Sequence, residues 1–161
     1  MDAWELTARE RVRDTLALYN WSGDAFRLDD LTRAFCEDGE LEIRGREPLR
    51  GRDAIVRFLG GDAAPRGDEA RRAERRAQAA SAGVTRIVRH NVTNVRFLEL
   101  ARDHALVACY FTVLTEIGLD HYGRYRDTFV PAGDEWLIRH RYVSIDWRAP
   151  ESTMAGPSSI G

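Results

Sequence analysis

The sequence predicts an α+β fold: a curved antiparallel sheet with N-terminal helices packed over its concave face, a cone that encloses a pocket. Three observations carry this reading. The chain has 161 residues and a mass of 18.3 kDa, the size of one domain, able to bury roughly two-thirds of the surface its unfolded form would expose. Apolar residues recur at helical spacing in the first third of the chain, whereas the second half alternates with period 2 in runs over 84–98, 104–116, 121–131 and 135–147. Turn chemistry separates those runs, at Ala101-Arg102-Asp103, Glu116-Ile117-Gly118 and Pro131-Ala132-Gly133-Asp134. Helices followed by a four-run meander is the order of an α+β domain. Residues 1–148 are expected to form it, with 149–161 a C-terminal tail whose small residues predict little order.

Each element has a local reason. Thr7 and Glu10 fit the S/T-x-x-E capping box, and Ala8, Val12, Leu16 and Tyr19 follow on one helical face. Ser22 and Gly23 break that helix over Trp21 to Asp24, after which Asp29 or Asp30 caps a short second helix through Leu31, Ala34 and Phe35, closed by Asp38-Gly39. Glu40 to Arg44 alternates as a strand, Arg46 to Gly51 loops around Pro48, and Asp53 caps a third helix carrying Ile55, Val56, Phe58 and Leu59 up to Gly60-Gly61. Residues 62–83 are rich in Ala, Arg and Glu with almost no core former, which predicts a solvated loop and exposed helix, with a flap over a pocket as the alternative.

Composition narrows the partners. The net charge is −2, from 24 basic and 26 acidic residues, so no long-range field recruits nucleic acid or an acidic membrane. All basic residues are Arg and none is Lys, which removes Schiff-base chemistry on lysine. Cys36 and Cys109 stand apart with no metal-site spacing and read as buried small hydrophobes. The start, MDAWELTARERVRD, has charges where a secretory signal needs its apolar run, and no stretch reaches the length of a membrane span, so a cytoplasmic location is expected. Apolar residues on the sheet exterior need cover, which predicts a homodimer or homotrimer.

The chemistry-bearing residues are His90 and His121, each in a strand run, and Asp24 behind Tyr19. An imidazole, a carboxylate and a phenol move protons without metal or organic cofactor. Period 2 puts His121 on one face with Gly123, Tyr125, Asp127 and Phe129, and His90 with Val92 and Asn94. Tyr19, Asp24, His90 and His121 are expected to line one cavity, with Phe35, Phe58, Val92, Asn94, Cys109, Phe111 and Tyr125 as substrate-binding walls. His121, just after Gly118-Leu119-Asp120, has the equal alternative of an exposed hairpin residue paired with Asp120. Asp127 is costly to bury alone and is expected to meet Arg141 as a structural brace. His104 and His140 read as structural. Histidines 90 and 121 with Asp24 lack the tight spacing of a metal triad, and no phosphate-loop pattern occurs. Neither metal nor cofactor is expected.

The helix ending Tyr19-x-x-x-x-Asp24, with LTRAFCEDGEL (31–41), GRDAIVRFL (51–59), VRHNVTN (88–94), HYGRYRDTFV (121–130) and DEWLIRHRYVSIDW (134–147), resembles the SnoaL-like families of the nuclear transport factor two-like superfamily, across about residues 5 to 148. The chain looks most like the cofactor-free lyases of that group, which include scytalone dehydratase, bile acid 7α-dehydratase and hexachlorocyclohexane dehydrochlorinase. The resemblance implies an aspartate–histidine pair at Asp24 and His90, a second histidine at His121, and a carbonyl-holding tyrosine at Tyr19. The dehydrochlorinase has a lysine near its dyad, and this chain has none, a departure that speaks against haloalkane elimination. The implied activity is a dehydratase-like elimination on a small, mostly apolar cyclic, polyketide-like or steroid-like substrate. An isomerase or cyclase of the same fold, or a non-catalytic ligand binder or oligomeric subunit like the β subunit of ring-hydroxylating dioxygenases, stands as the alternative.

Overall fold

The computed structural model describes residues 1–61, 67–83, 86–152 and 154. Helix α1 spans Ala3–Asp24 and buries Ala8, Val12, Leu16 and Tyr19, the stripe their spacing predicts. Its capping box comes from Asp2 and Glu5 instead of Thr7 and Glu10: the Asp2 carboxylate accepts the Glu5 N–H (2.9 Å), and the Asp2 N–H donates to Glu5 Oε2 (3.1 Å). The expected break at Ser22-Gly23 does not occur. The helix runs on to Asp24 and closes in a Schellman motif, with Phe26 N donating to the Gly23 carbonyl (2.9 Å) and Arg27 N to that of Ser22 (2.8 Å). Phe26 occupies the left-handed position at φ 54°, which glycine usually fills. Its ring lies under the Arg75 guanidinium, 4.6 Å from the centroid.

Helix α2 is shorter than expected, Leu28–Thr32, and Phe35 opens strand β1 (Phe35–Ile43) instead of ending a helix. The reason is long-range: Ile138 N donates to the Ala34 carbonyl (2.8 Å), drawing the chain onto the last strand. After β2 (Leu49–Arg50), helix α3 covers Arg52–Gly60 and buries Ile55. Helix α4 (Asp68–Ser81) buries only Arg71, so it docks by charge: Arg71 Nη1 reaches Asp29 Oδ1 (2.9 Å) and Asp68 Oδ1 (3.2 Å), and the Asp68 carboxylate accepts the Asp29 N–H (2.9 Å). The exposed helix expected in 62–83 is thus present over its described part; residues 62–66 lie outside the described residues.

The four period-2 runs are β3 (Val88–Leu100), β4 (Ala105–Thr115), β5 (Gly118–Ala132) and β6 (Glu135–Arg148). They form an antiparallel meander in a six-stranded sheet of order β2-β1-β6-β5-β4-β3, in which β1 lies parallel to β6. Helix α1 packs on β6 and β3. Inner-face side chains form rows across the strands: Ala105–Phe129–Ile138, Val107–Asp127–Arg141–Leu41, Cys109–Tyr125–Val143–Ile43, Val92–Phe111–Gly123–Ile145 and His90–Val113–His121–Arg148. The first rows are the closed core, where Phe35, Phe129 and Ile138 are fully buried. Gly123 has a steric reason. At the bulge beside Tyr122, a Cβ there would collide with the Ser144 carbonyl oxygen. No helix of the described residues is long and apolar enough to cross a membrane.

Candidate functional site

Asp24 and His90 come together although 66 positions separate them in sequence: His90 Nδ1 lies 2.6 Å from Asp24 Oδ1, and the His90 backbone N–H donates to Asp24 Oδ2 (2.9 Å). The Schellman stop makes Asp24 the last residue of α1 and aims it at β3. The two bonds engage both carboxylate oxygens, and an ionised carboxylate can only accept. The imidazole therefore donates from Nδ1 and keeps Nε2 for chemistry. Both side chains are largely buried, at 13% and 19% exposure for Asp24 and His90.

His121 is buried, not an exposed hairpin residue, yet it does pair with Asp120: Nδ1 lies 2.6 Å from Asp120 Oδ1. The expected pairing with Asp120 is present and the expected exposure is not. A bulge opposite Val113 and Leu114 turns Asp120 and His121 inward in succession. His90 and His121 flank Val113 in one inner row, which puts their backbones roughly 10 Å apart, two strand spacings. Burial lowers the His121 pKa from its ordinary value; the Asp120 bond opposes this, and the His90 and Arg148 charges reinforce it. Among the described residues the cluster of three groups that could hold a cation is Glu40, Glu42 and His140, away from these imidazoles, with ligand atoms within 4.8 Å of one another.

An aromatic wall continues from His121. Phe111 meets its ring edge-on (5.9 Å) and stacks on Tyr125 (4.5 Å), which meets Tyr19 (6.3 Å), which meets Phe35 (5.8 Å). Cys109 sits beside Tyr125 in the adjacent strand, and burial pushes its thiol up to about 12, so it acts as an inert apolar filler. Val92 is half-buried opposite Phe111. Two expected lining residues are elsewhere. Asn94 is exposed because a bulge in β3 between Thr93 and Arg96 puts it at φ 53° and ends the alternation begun at His90. Phe58, on α3, lines a recess of about 310 Å³ with Leu41, Ile43, Leu49, Arg46 and Glu47, and neither histidine is part of that lining.

Behind the wall lies the ion pair expected from sequence. Arg141 and Asp127, both inaccessible, bond through Nε–Oδ1 (2.9 Å) and Nη2–Oδ2 (2.6 Å). The guanidinium is sandwiched between Tyr19 and Tyr125, 4.1 and 4.2 Å from the ring centroids. Burial opposes its charge, but the Asp127 carboxylate more than offsets this and keeps Arg141 ionised. Burial likewise raises both tyrosines above 10, so they stay phenols. Arg141 Nη1 is buried and makes no hydrogen bond to the described residues. The sequence reading paired Asp120 with His121 only on an exposed hairpin and missed the clamp on Asp120 by Thr115 (3.2 Å) and Ser152 (2.7 Å). An Asp-His pair next to a turn was the available signal; the bulge that turns both inward was not legible.

The sequence matches the SnoaL-like domain over residues 4–142. No curated protein sequence matches it significantly. Among solved structures, it is similar to an NTF2-like protein with a cystatin-like fold from Novosphingobium aromaticivorans (21% identity, TM-score 0.66, covering 90% of this chain and 86% of that one). It is also similar to a candidate scytalone dehydratase from the same organism (21%, 0.62, 96% and 95%), and to ActVI-ORFA from Streptomyces coelicolor (17%, 0.64, 86% and 97%). These likenesses show the cone-shaped fold. With the match extending from α1 into β6, the chain belongs to the SnoaL-like domain family.

Proposed function

We propose that the protein is a cofactor-independent lyase that dehydrates a small, mostly apolar cyclic substrate of polyketide-like or steroid-like kind. The observation that carries this is the Asp24–His90 pair: a neutral imidazole fixed through Nδ1 by a doubly held carboxylate, with Nε2 left for a substrate proton. Imidazole is the side chain best suited to take a proton at neutral pH. His90 Nε2 takes the proton α to a carbonyl, and the C–H electron pair becomes an enolate. The enolate re-forms the carbonyl as the C–O bond to the β-hydroxyl breaks, and the imidazolium returns its proton so that water leaves. No oxidant or metal enters the balance. Tyr19 or Tyr125 would donate to the enolate oxygen, one well-placed donor contributing roughly 2.7–4 kcal/mol. The similarity to a candidate scytalone dehydratase supports the reaction class.

The test is incubation with a panel of β-hydroxy ketones, hydroxylated steroids and polyketides, followed by mass spectrometry. Loss of one water from at least one substrate by the wild type, and not by His90→Ala, is expected. Isomerised product of unchanged mass would move the assignment to an isomerase of the same site, and binding without turnover across the panel would favour a ligand-binding member.

A further inference from the structure

Asp120 is 1% exposed, and its carboxylate accepts three side-chain bonds. Its Oδ1 accepts from His121 Nδ1 (2.6 Å) and from the Ser152 hydroxyl (2.7 Å), while Oδ2 accepts from the Thr115 hydroxyl (3.2 Å). Its backbone carbonyl accepts the Ala149 N–H (2.7 Å), which ties the segment beyond β6 to the same residue. Burial alone would raise this carboxyl, but the bonds from His121, Ser152 and Thr115 outweigh it and hold it below the usual carboxylate range. An ionised carboxylate is acceptor-only, so the neutral His121 ring must carry its proton on Nδ1 and present a lone pair on Nε2. Among the described residues no hydrogen bond occupies that Nε2.

We propose that Asp120 is the positioning residue of a second acid–base pair, that Ser152 in the C-terminal segment completes it, and that His121 Nε2 accepts a hydrogen bond from a hydroxyl of the ligand. This rests on the lyase reading only for the identity of the ligand as substrate. The two imidazoles divide the work: His90 handles the carbon-bound proton, and His121, in the same inner row across Val113, holds a hydroxyl donor. Its preferred ligands are alcohols and phenols, not carboxylates or halides, because a lone pair rewards a donor and repels an anion. Ser152 thereby becomes part of the site: loss of its hydroxyl leaves the Asp120 carboxylate less neutralised and a stronger attractor of charge on His121.

The closing experiment is imidazole ¹H–¹⁵N correlation spectroscopy on the full-length chain, with His121 assigned through His121→Gln. The wild type is expected to show the Nδ1–H tautomer at His121, and Asp120→Asn to show the Nε2–H tautomer, since an amide can donate to Nδ1. Ser152→Ala, a milder change outside the strands, should raise the pH at which His121 titrates. Titration with 2-naphthol should perturb His121 Nε2 in the wild type and bind roughly tenfold more weakly to Asp120→Asn, the effect of leaving one buried hydroxyl unpaired. A wild-type Nε2–H tautomer, equal naphthol affinity in both proteins, or an unmoved titration in Ser152→Ala would each overturn the proposal. The spectra read the ring whether or not any water is eliminated. A chain inactive on every substrate with the expected tautomer intact overturns the lyase reading alone.

Discussion

His90 and His121 sit in one inner row of the sheet with Val113 between them, and each is held at Nδ1 by its own carboxylate, half-buried Asp24 or buried Asp120, at 2.6 Å. Two imidazoles in one row, each bonded at Nδ1 to a carboxylate, invite a division of roles, and substitution separates them. His90→Ala or Asp24→Asn should each lower kcat on a verified substrate by roughly 10²–10⁴-fold, the range for losing a general base. The double variant should cost little more than the worse single one, because Asp24 acts only through the ring it orients. If both single variants keep full activity while His121→Ala loses it, His121 is the base.

The Asp127–Arg141 pair should behave as a unit of stability. Asp127→Ala leaves an uncompensated guanidinium at 0% exposure and should destabilise the fold by about 3–5 kcal/mol. Replacing both partners by apolar residues, Asp127→Leu with Arg141→Met, should recover most of that loss, because no buried charge remains. Urea denaturation of the three proteins checks this. A double variant as unstable as Asp127→Ala would mean that the tyrosine sandwich around Arg141, rather than the charge pair, supports this layer.

Much of this was legible in the sequence, and the misplaced strand residues share one physical origin. The α1 stripe of Ala8, Val12, Leu16 and Tyr19, the meander and the Asp127–Arg141 pair follow from local periodicity and the cost of burying a lone charge. The misplaced features depend on a partner strand or on a bulge. Phe35 looked helical until β6 captured it, and Asn94 left the inner face at one bulge while Asp120 entered it at another. An extra residue inverts every later side chain on a strand, and it is set by cross-strand pairing that no local window contains. Phe58 was apolar and helical as expected, yet its helix faces the β1–β2 recess and not the histidines.

The buried imidazole should mark the pH dependence of stability. The folded His121 pKa lies below its ordinary value of 6.5, so in the window below about 6.5 the unfolded chain binds more protons than the folded one, and stability must fall as pH drops. His121→Asn should therefore flatten the difference in unfolding free energy between pH 8 and the acidic end of that window. A variant whose stability declines with acid as steeply as the wild type would show that the titrating group is another one, with Asp120, whose carboxyl is also held low, next in line.

The backbone beside the site offers the last prediction. Gly123 separates His121 from Tyr125 on the inner face, and the bulge next to it brings the Ser144 carbonyl to where a Cβ would stand. The obstacle is backbone held in the β5–β6 ladder, not a flexible side chain that can swing away. Gly123→Ala must therefore open the ladder at the row that carries Phe111, and overpacking of this kind costs typically about 1–3 kcal/mol. Because Phe111 stacks on Tyr125 and meets His121, the distortion should reach the imidazole as well as the fold. Thermal unfolding should show the loss of stability, and the His121 imidazole resonances should shift. A Gly123→Ala protein with wild-type stability would mean that β6 yields at the bulge and that this glycine only leaves space above Phe111.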